Sequence, residues 1–272
     1  MTFLPMIPEQ KFNDILKTLV PVAYGAGDAI MAVYGRDDVG LRHKGDASPV
    51  TEADEAAEAI ILKALKANHP GTLIIAEELA SKEGLPSAGT DEFFLVDPLD
   101  GTKEFLNKRD AFTVNIALIQ RAQPVLGVVY APARDVMYFG AGSSAFKIEG
   151  RGSAPVAIAA RKADPENLAI VASFSHRDAA TEAYLAHYPG AEHVSVGSSL
   201  KFCLVAEAAA DLYPRLGPTM EWDTAAGHAV LKAAGGAVVD EAGKNLKYGK
   251  PGFKNGRFIA RGDETLDFVK FL

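Results

Sequence analysis

The sequence predicts a protein of the α/β class, with an antiparallel sheet in its first half and a smaller doubly wound sheet in its second half. Two observations predict this division. Between residues 111 and 148, short apolar segments rich in strand-forming residues are separated only by turn residues, which is typical of an antiparallel meander. After residue 164, strand-like and helix-like segments alternate, as they do in a doubly wound sheet. We therefore expect two domains, 1–152 and 153–272, joined by a stretch rich in small residues and proline.

The composition of the chain is that of an ordinary globular protein. Of its 272 residues, 48% are hydrophobic and 23% are charged, and this length suffices for a sizeable core. Cys203 is the only cysteine, so no intramolecular disulfide can form, which fits a reducing cytoplasm. Because Cys203 lies in an apolar helical run, we expect a buried structural thiol.

The formal net charge of −7 argues against broad binding of nucleic acid, which depends on clustered lysine and arginine. An acidic protein can still bind a small phosphate ester if divalent cations bind its carboxylates first. No uninterrupted apolar run approaches the ~18 residues of a membrane span, and the N-terminal region does not look like a signal peptide. We expect no integral membrane segment.

The first elements along the chain are predicted from apolar spacing and capping residues. A long helix is expected over residues 9–34, then a strand at 39–43. Thr51 is a good N-cap for a second helix that ends at residues 69–71, and Asp54 in its first turn is equally explained by capping or by a functional role. A strand at 72–76 ends in Glu77 and Glu78, and alternation of side chains allows one of these to face a site.

The stretch Phe93–Phe105, FFLVDPLDGTKEF, predicts a cation site. A strand over 93–96 is expected to stop at Asp97, because the following proline cannot donate to a sheet. Asp100, a glycine turn and Thr102 follow, and Thr102 is expected to cap a helix. Two carboxylates, the carbonyl of Leu99 and a hydroxyl therefore meet at a strand end, as a site for hard cations and phosphate requires.

The second half contributes one further acidic motif and a regular set of elements. In the segment Glu221–His228, EWDTAAGH, Asp223 is expected in the first turn of a helix, where capping alone would explain it. Together with Glu77, Asp97 and Asp100 it could supply the fourth carboxylate of a two-Mg²⁺ site. The expected strands are 169–173, 193–196, 212–215, 237–240 and 258–260, and the expected helices are 179–187, 200–209, 223–234 and 266–271.

Three other kinds of enzyme also use carboxylates or glycine-rich loops of the sort found in these motifs. A phosphatase of the haloacid-dehalogenase type needs its two aspartates separated by one residue, whereas Pro98 and Leu99 both lie between Asp97 and Asp100. No phosphate-binding P-loop motif is present. A glycosidase with paired carboxylates stays open on the acids alone, although it leaves the helix start at Thr102 unexplained.

Several motifs resemble one known family in the same order along the chain. AEE at 76–78, DPLDGT at 97–102 and WDTAAG at 222–227 resemble the inositol monophosphatase superfamily of Mg²⁺-dependent, Li⁺-inhibited phosphatases. SPVTEAD at 48–54, FTVNIALI at 112–119, GVVYAP at 127–132 and GSSLKFCLVAE at 197–207 resemble its bacterial CysQ-type 3′(2′),5′-bisphosphate nucleotidases. The resemblance implies the sugar-phosphatase fold, a five-layer αβαβα sandwich.

The resemblance also implies roles for individual residues. One Mg²⁺ would be held by Glu77, Asp97 and the carbonyl of Leu99, and a second by Asp97, Asp100 and Asp223, with two or three ions in each site and inhibition by Li⁺. The attacking water would be oriented by Thr102, Glu77 and Asp54. The residues implied to contact the substrate are Glu77, Leu99, Asp100, Gly101, Thr102 and Asp223 around the scissile phosphate, and His176, Ser198, Lys201 and Arg215 around the rest of the nucleotide.

The implied activity is removal of the 3′-phosphate of adenosine 3′,5′-bisphosphate, and of its sulfated precursor 3′-phosphoadenosine 5′-phosphosulfate, in sulfur assimilation. Inositol-1-monophosphatase or fructose-1,6-bisphosphatase activity is the alternative, and a non-enzymatic regulatory binding protein is a further one. The expected partner is a small nucleotide substrate, with no nucleic acid. We expect a monomer or homodimer in the cytoplasm, and any association with the inner membrane would be peripheral, on its cytoplasmic face.

Overall fold

Two β-sheets separate three layers of helices in the structure of this protein. It is a computed structural model that describes residues 9–45, 48–86, 89–173, 178–264 and 267–272. The order of layers is helix, sheet, helix, sheet, helix. This confirms the α/β class and the five-layer sandwich predicted from the sequence.

The described residues form seven α-helices and sixteen strands. The helices are α1 (Glu9–Tyr34), α2 (Glu52–Asn68), α3 (Glu77–Glu83), α4 (Thr102–Leu106), α5 (Ala179–Leu185), α6 (Leu200–Ala206) and α7 (Ala225–Ala233). The strands of the first half are β1 (Arg42–His43), β2 (Pro49–Val50), β3 (Leu73–Ala76), β4 (Glu92–Asp100), β5 (Thr113–Gln120), β6 (Gln123–Ala131), β7 (Val136–Ala141), β8 (Ser144–Glu149) and β9 (Val156–Ile158). The later strands are β10 (Ala169–Ala172), β11 (Glu192–Ser195), β12 (Leu212–Arg215), β13 (Thr219–Met220), β14 (Ala237–Asp240), β15 (Lys254–Asn255) and β16 (Phe258–Arg261).

The larger sheet has seven strands in the order β3-β4-β5-β6-β7-β8-β9. Strands β3 and β4 are parallel, and every later neighbour in this sheet is antiparallel. The predicted meander is therefore confirmed. The last strand of the larger sheet, β9, lies beyond residue 152. The sheet therefore includes residues from both sides of the expected domain boundary, and the division into 1–152 and 153–272 stays a prediction.

The smaller sheet has five strands in the order β11-β10-β12-β16-β14. Strand β10 is parallel to both β11 and β12, whereas β16 is antiparallel to β12 and β14. Each strand predicted for the second half is present within a few residues. The predicted terminal helix is shorter than expected, because the described residues there form only a 3₁₀ turn, Val269–Phe271.

Strand β4 shows how the sheet separates two cores. Phe94 and Val96 pack in the core that contains α1 and α2, whereas Phe93 and Leu95 face the middle helical layer of α6 and α7. Both faces are apolar because both are covered by helices. Burying each such side chain contributes about 1.5–3 kcal/mol relative to leaving it exposed. Cys203 on α6 is buried in the same middle layer, as predicted.

Helix α1 bears on the expectation of no integral membrane segment, which stays a prediction. Among the described residues, its part from 12 to 34 is long and apolar enough to cross a membrane by length and composition. The helix itself was predicted over residues 9–34, and polar residues interrupt its apolar sequence. In this structure Leu19, Ala23, Ala26 and Ile30 are fully buried between α1 and the larger sheet.

Helix α7 lies in backbone contact with the larger sheet. A Cβ placed on Gly127 of β6 would lie 2.3 Å from the carbonyl oxygen of Ala226, and one on Gly140 of β7 would lie 2.9 Å from the Cβ of Ala233. These distances are too short for a side chain, so glycine is required at both positions. The close contact places the start of α7 at the edge of the sheet where β4 ends.

Candidate active site

The first two aspartates of the site are presented by a bulge in β4. Asp97 pairs with Asn115 and Asp100 pairs with Thr113, so two residues of β4 oppose one residue of β5. The strand therefore continues through Pro98, and the prediction that it stops at Asp97 was wrong. Pro98 is tolerated because it lies in the bulge, where no ladder donor is needed. Asp97 Oδ1 also accepts a hydrogen bond from the backbone N–H of Leu99 at 3.0 Å.

The turn after β4 is formed by Gly101, which has φ of 95° and is the N-cap of α4. Thr102 is the first residue of that helix and makes no capping bond, so the prediction that Thr102 is the N-cap was wrong. The left-handed φ requires glycine at position 101 and moves the cap one residue earlier. The Thr102 hydroxyl instead lies 3.4 Å from Asp54 Oδ1 and 3.4 Å from the carbonyl oxygen of Leu99.

Asp54 combines the two roles that the sequence left open. Its Oδ2 accepts hydrogen bonds from the N–H and hydroxyl of Thr51, at 2.8 and 2.7 Å, and thereby completes a capping box at the start of α2. Its Oδ1 faces Thr102. Burial raises the pKa of Asp54 to about 6.

Three carboxylates converge where β3, β4 and the turn before α7 meet. Oxygens of Glu77, Asp97 and Asp223 all lie within 4.8 Å of one another. Burial, followed by repulsion from the neighbouring carboxylates, raises the pKa of Asp97 and of Asp223. Hard oxygen donors held this closely fit a divalent cation such as Mg²⁺. The mutual repulsion would be relieved by such a charge.

Lys44 is a charged neighbour that sequence reasoning missed. Its Nζ lies 2.6 Å from Glu77 Oε1 and 2.6 Å from Glu78 Oε1. Burial lowers the pKa of Lys44, but the two carboxylates outweigh this and raise it above its ordinary value. Glu78 is almost fully buried, and burial raises its pKa to about 7. Only Glu77 of the acidic pair lines the cavity, which agrees with the expectation that one of the two faces the site.

Asp223 lies in a turn two residues before α7, not in the first helical turn as predicted. Its Oδ2 accepts a hydrogen bond from the backbone N–H of Met220 at 2.8 Å. Its carbonyl oxygen accepts one from the hydroxyl of Ser199 at 2.7 Å. Trp222 is buried beside it. The carboxylate is therefore oriented by backbone from β13 and by the start of α6.

Asn115 connects the aspartates of the two halves; it lies within FTVNIALI at 112–119, but the sequence assigned it no role in the site. Its Nδ2 lies 3.0 Å from Ser199 Oγ and 3.4 Å from Asp100 Oδ2. Among the described residues, Asn115 Oδ1 and Thr113 Oγ1 are buried without a hydrogen-bond partner. The two orphaned atoms lie on one face of β5, opposite Asp97 and Asp100 in the sheet register. The site thus carries polar atoms that the protein itself does not satisfy.

A cavity of about 310 Å³ is lined by the carboxylates Glu77, Asp100 and Asp223. Lys201 lines it, and its Nζ donates a hydrogen bond to the carbonyl oxygen of Ser198 at 2.6 Å and lies 5.3 Å from the centre of the Tyr213 ring. Burial lowers the pKa of Lys201 to about 8. Residues from the acidic cluster and from the second half share this cavity; they include Glu77, Asp100, Gly101, Thr102, Asp223, Ser198, Lys201 and Arg215.

Arg215, at the end of β12, also lines the cavity. Its guanidinium donates hydrogen bonds to the carbonyl oxygens of Gly217 and Pro218, at 3.2 and 3.1 Å. It lies close enough to Lys201 to contribute to lowering the pKa of that residue. The structure thus brings Ser198, Lys201 and Arg215 to the acidic cluster. His176, the remaining predicted nucleotide contact, lies outside the described residues.

Comparisons with known proteins agree over most of the chain. The profile of the inositol monophosphatase family matches residues 12–266. A 3′(2′),5′-bisphosphate nucleotidase CysQ of Salmonella typhimurium is 46% identical over 235 residues, which cover 86% of this chain and 94% of that protein, and the Escherichia coli K12 protein of the same name gives the same figures. The crystal structure of CysQ from Bacteroides thetaiotaomicron, described as a bacterial member of the inositol monophosphatase family, aligns with a TM-score of 0.80 and 37% identity, over 93% of this chain and 99% of that one.

Proposed function

Because the chain belongs to the inositol monophosphatase family, we propose that it is a Mg²⁺-dependent 3′(2′),5′-bisphosphate nucleotidase. It removes the 3′-phosphate of adenosine 3′,5′-bisphosphate to give AMP and phosphate, and acts in the same way on the sulfated precursor. One observation carries this choice: the carboxylates Glu77, Asp100 and Asp223 line one cavity together with the cations Lys201 and Arg215. A substrate with two phosphates complements both parts of it.

The acidic residues would hold the metal ions in two overlapping sets. Glu77, Asp97 and the carbonyl of Leu99 would bind one Mg²⁺, and Asp97, Asp100 and Asp223 a second. When bound, the ions would supply positive charge to the phosphate and the leaving oxygen. They would also lower the pKa of a water, so that it can lose a proton and attack the phosphorus. The orphaned Asn115 Oδ1, behind Asp100, is consistent with a site completed by groups from outside the protein.

The chain's own groups orient the reaction. The Thr102 hydroxyl lies between Asp54 Oδ1 and the Leu99 carbonyl oxygen and can donate its proton to either of them. Its oxygen would then accept a hydrogen bond from the attacking water. The buried Asp54 fixes that hydroxyl and is itself fixed by Thr51. The backbone N–H groups of Gly101 and Thr102, at the turn into α4, would bind oxygens of the scissile phosphate.

The second phosphate would be recognised in the C-terminal half. Lys201 and Arg215 would neutralise the 5′-phosphate, with Ser198 beside them. An inositol monophosphate has no second phosphate to occupy this part of the cavity, and fructose 1,6-bisphosphate carries its second phosphate on a sugar without a base. The bisphosphate nucleotide is therefore a better match to the cavity than either sugar phosphate. We place the enzyme in the cytoplasm, where its nucleotide substrate would be produced.

The test compares phosphate release from adenosine 3′,5′-bisphosphate, inositol 1-phosphate and fructose 1,6-bisphosphate, each at the same concentrations with Mg²⁺. We expect kcat/KM for the nucleotide to exceed that for inositol 1-phosphate by about 100-fold or more, since a buried charged subsite left empty costs several kcal/mol. It should also exceed that for fructose 1,6-bisphosphate, which has a second phosphate but no base. A clear preference for inositol 1-phosphate would overturn the substrate assignment. Asp97→Asn should abolish activity, and full activity in that variant would overturn the metal assignment.

A further inference from the structure

A buried amide lies behind the Asp223 turn, outside every motif considered so far. Asn255 belongs to β15, which pairs with β13 so that Asn255 stands opposite Thr219 and Lys254 opposite Met220. Its side chain is buried and points at the turn that carries Asp223. The short β13–β15 ribbon therefore forms the support for that turn.

The amide nitrogen of Asn255 contacts the turn on both sides of Asp223. It lies 3.0 Å from the carbonyl oxygen of Met220 and 3.2 Å from Thr219 Oγ1, before the aspartate. It also lies 3.0 Å from Thr224 Oγ1, directly after the aspartate. Two N–H groups thus hold both ends of a five-residue turn.

These contacts lead directly to the metal-facing carboxylate. Met220, whose carbonyl oxygen is held by Asn255, donates its own N–H to Asp223 Oδ2 at 2.8 Å. If Met220 moves, the hydrogen bond that orients Asp223 moves with it. Asn255 does not itself line the cavity, so any effect on the site must pass through Thr219, Met220 and Thr224.

Lys250 and the buried Glu221 fix Asn255 itself. Its Oδ1 accepts a hydrogen bond from Lys250 Nζ at 3.0 Å, and that ammonium lies 2.7 Å from Glu221 Oε1. The Glu221 carboxylate also accepts the backbone N–H groups of Gly249 and Lys250, at 2.6 and 3.0 Å. The amide is thereby oriented with its N–H groups toward the turn, and its geometry is rigid.

We propose that Asn255 is a positioning residue that holds Asp223 in the orientation needed to bind metal. The inference rests on the proposed function, because it presupposes that Asp223 is a metal ligand. Partners that orient a metal ligand typically change metal affinity by about 10–100-fold when they are lost. Asn255→Asp removes both N–H groups but keeps the shape and the acceptor for Lys250. Its added negative charge would by itself favour a cation, so weaker Mg²⁺ binding reports the loss of the donors.

The experiment measures Mg²⁺ binding to the full-length chain by calorimetry, together with the Mg²⁺ dependence of kcat and the Tm. Variants are Asn255→Asp, Asn255→Ala and, as a control, Tyr184→Phe. The control removes a buried hydrogen bond, from the Tyr184 hydroxyl to the carbonyl oxygen of Phe268, on the far side of the smaller sheet. We expect Asn255→Asp to weaken Mg²⁺ binding by about tenfold or more, with activity restored by excess Mg²⁺.

Tyr184→Phe should lower Tm while leaving Mg²⁺ affinity as in the wild type. If Asn255→Asp lowers Tm but binds Mg²⁺ as the wild type does, Asn255 is a structural residue and the inference is overturned. If Asn255→Ala does not fold, Asn255→Asp alone decides. If wild type binds no Mg²⁺, or Asp97→Asn binds it unchanged, the proposed metal site fails instead, so the two failures are distinguishable.

Discussion

The Thr102 hydroxyl lies 3.4 Å from Oδ1 of Asp54, a residue whose other oxygen closes the capping box of α2. One carboxylate therefore stabilises a helix start and orients a group of the candidate site. Thr102 makes no capping bond for its own helix, because Gly101 occupies the N-cap. The role proposed for the Thr102 hydroxyl is therefore separate from helix capping.

Thr102→Val should lower kcat by about 100-fold, the low end of the range for a lost proton-transfer or positioning group. KM and Tm should change little, because the valine keeps the shape and no cap is lost. Thr102→Ser keeps the hydroxyl and should retain most of the activity. Steady-state kinetics and thermal unfolding of the three proteins decide this. Wild-type kcat in Thr102→Val would refute the role of the hydroxyl in orienting water.

Glu77 and Glu78 provide a matched pair of adjacent carboxylates. Glu77→Gln should reduce Mg²⁺ affinity and kcat/KM by about 100-fold or more, because a metal ligand loses its charge. Glu78→Gln should cost no more than about tenfold, since Glu78 is buried outside the cavity and acts on the site only through Lys44. Both quantities are measured by titrating Mg²⁺ in the activity assay. Equal losses in the two variants would contradict the assignment of Glu77 as the ligand.

The pKa of Lys201, about 8 and below its usual 10.5, predicts a pH dependence of substrate binding. The ammonium is charged below this pH and becomes neutral above it, so its attraction for a second phosphate is lost as pH rises. KM for adenosine 3′,5′-bisphosphate should then rise by up to about tenfold per pH unit above pH 8. The charged groups that act on Lys201 are Asp100, Arg215, Glu104 and Asp223.

Two controls isolate the contribution of Lys201 to this pH dependence. Lys201→Arg keeps its charge throughout and should show no such rise in KM. Adenosine 3′-monophosphate has no second phosphate, so its KM with the wild type should not rise either. An equal rise for both substrates would assign the effect to another group.

The glycine contact between β6 and α7 predicts a large cost for a single methyl group. Gly127→Ala should destabilise the protein by about 1–3 kcal/mol, because its Cβ would lie 2.3 Å from the Ala226 carbonyl oxygen. Gly190→Ala, where a Cβ meets no atom within 4 Å, should change the free energy of unfolding by no more than about 0.5 kcal/mol. Denaturant unfolding measures both. Similar stabilities would show that the contact relaxes without cost.

Local pattern predicted most of the fold, because apolar spacing and turn residues determine where strands and helices form. The continuation of β4 through Pro98 could not be predicted, since the bulge depends on the register with Thr113 and Asn115. The strand-end aspartates were found because carboxylates after a buried strand are unusual. Lys44 and Asn255 were missed because each reaches the site only through contacts distant in sequence. The N-cap was misplaced because the φ of Gly101 is a property of the folded turn.

The backbone contact between α7 and the larger sheet has a consequence for the thermodynamics of ligand binding. A helix pressed against Gly127 and Gly140 has no room to slide or tilt, so the turn before it has little conformational entropy left to lose. Asp223 is therefore ordered already in the folded chain, and binding of a cation would require little further loss of conformational entropy. Preorganisation of this kind favours tight binding of a metal ion even when only a few protein atoms coordinate it.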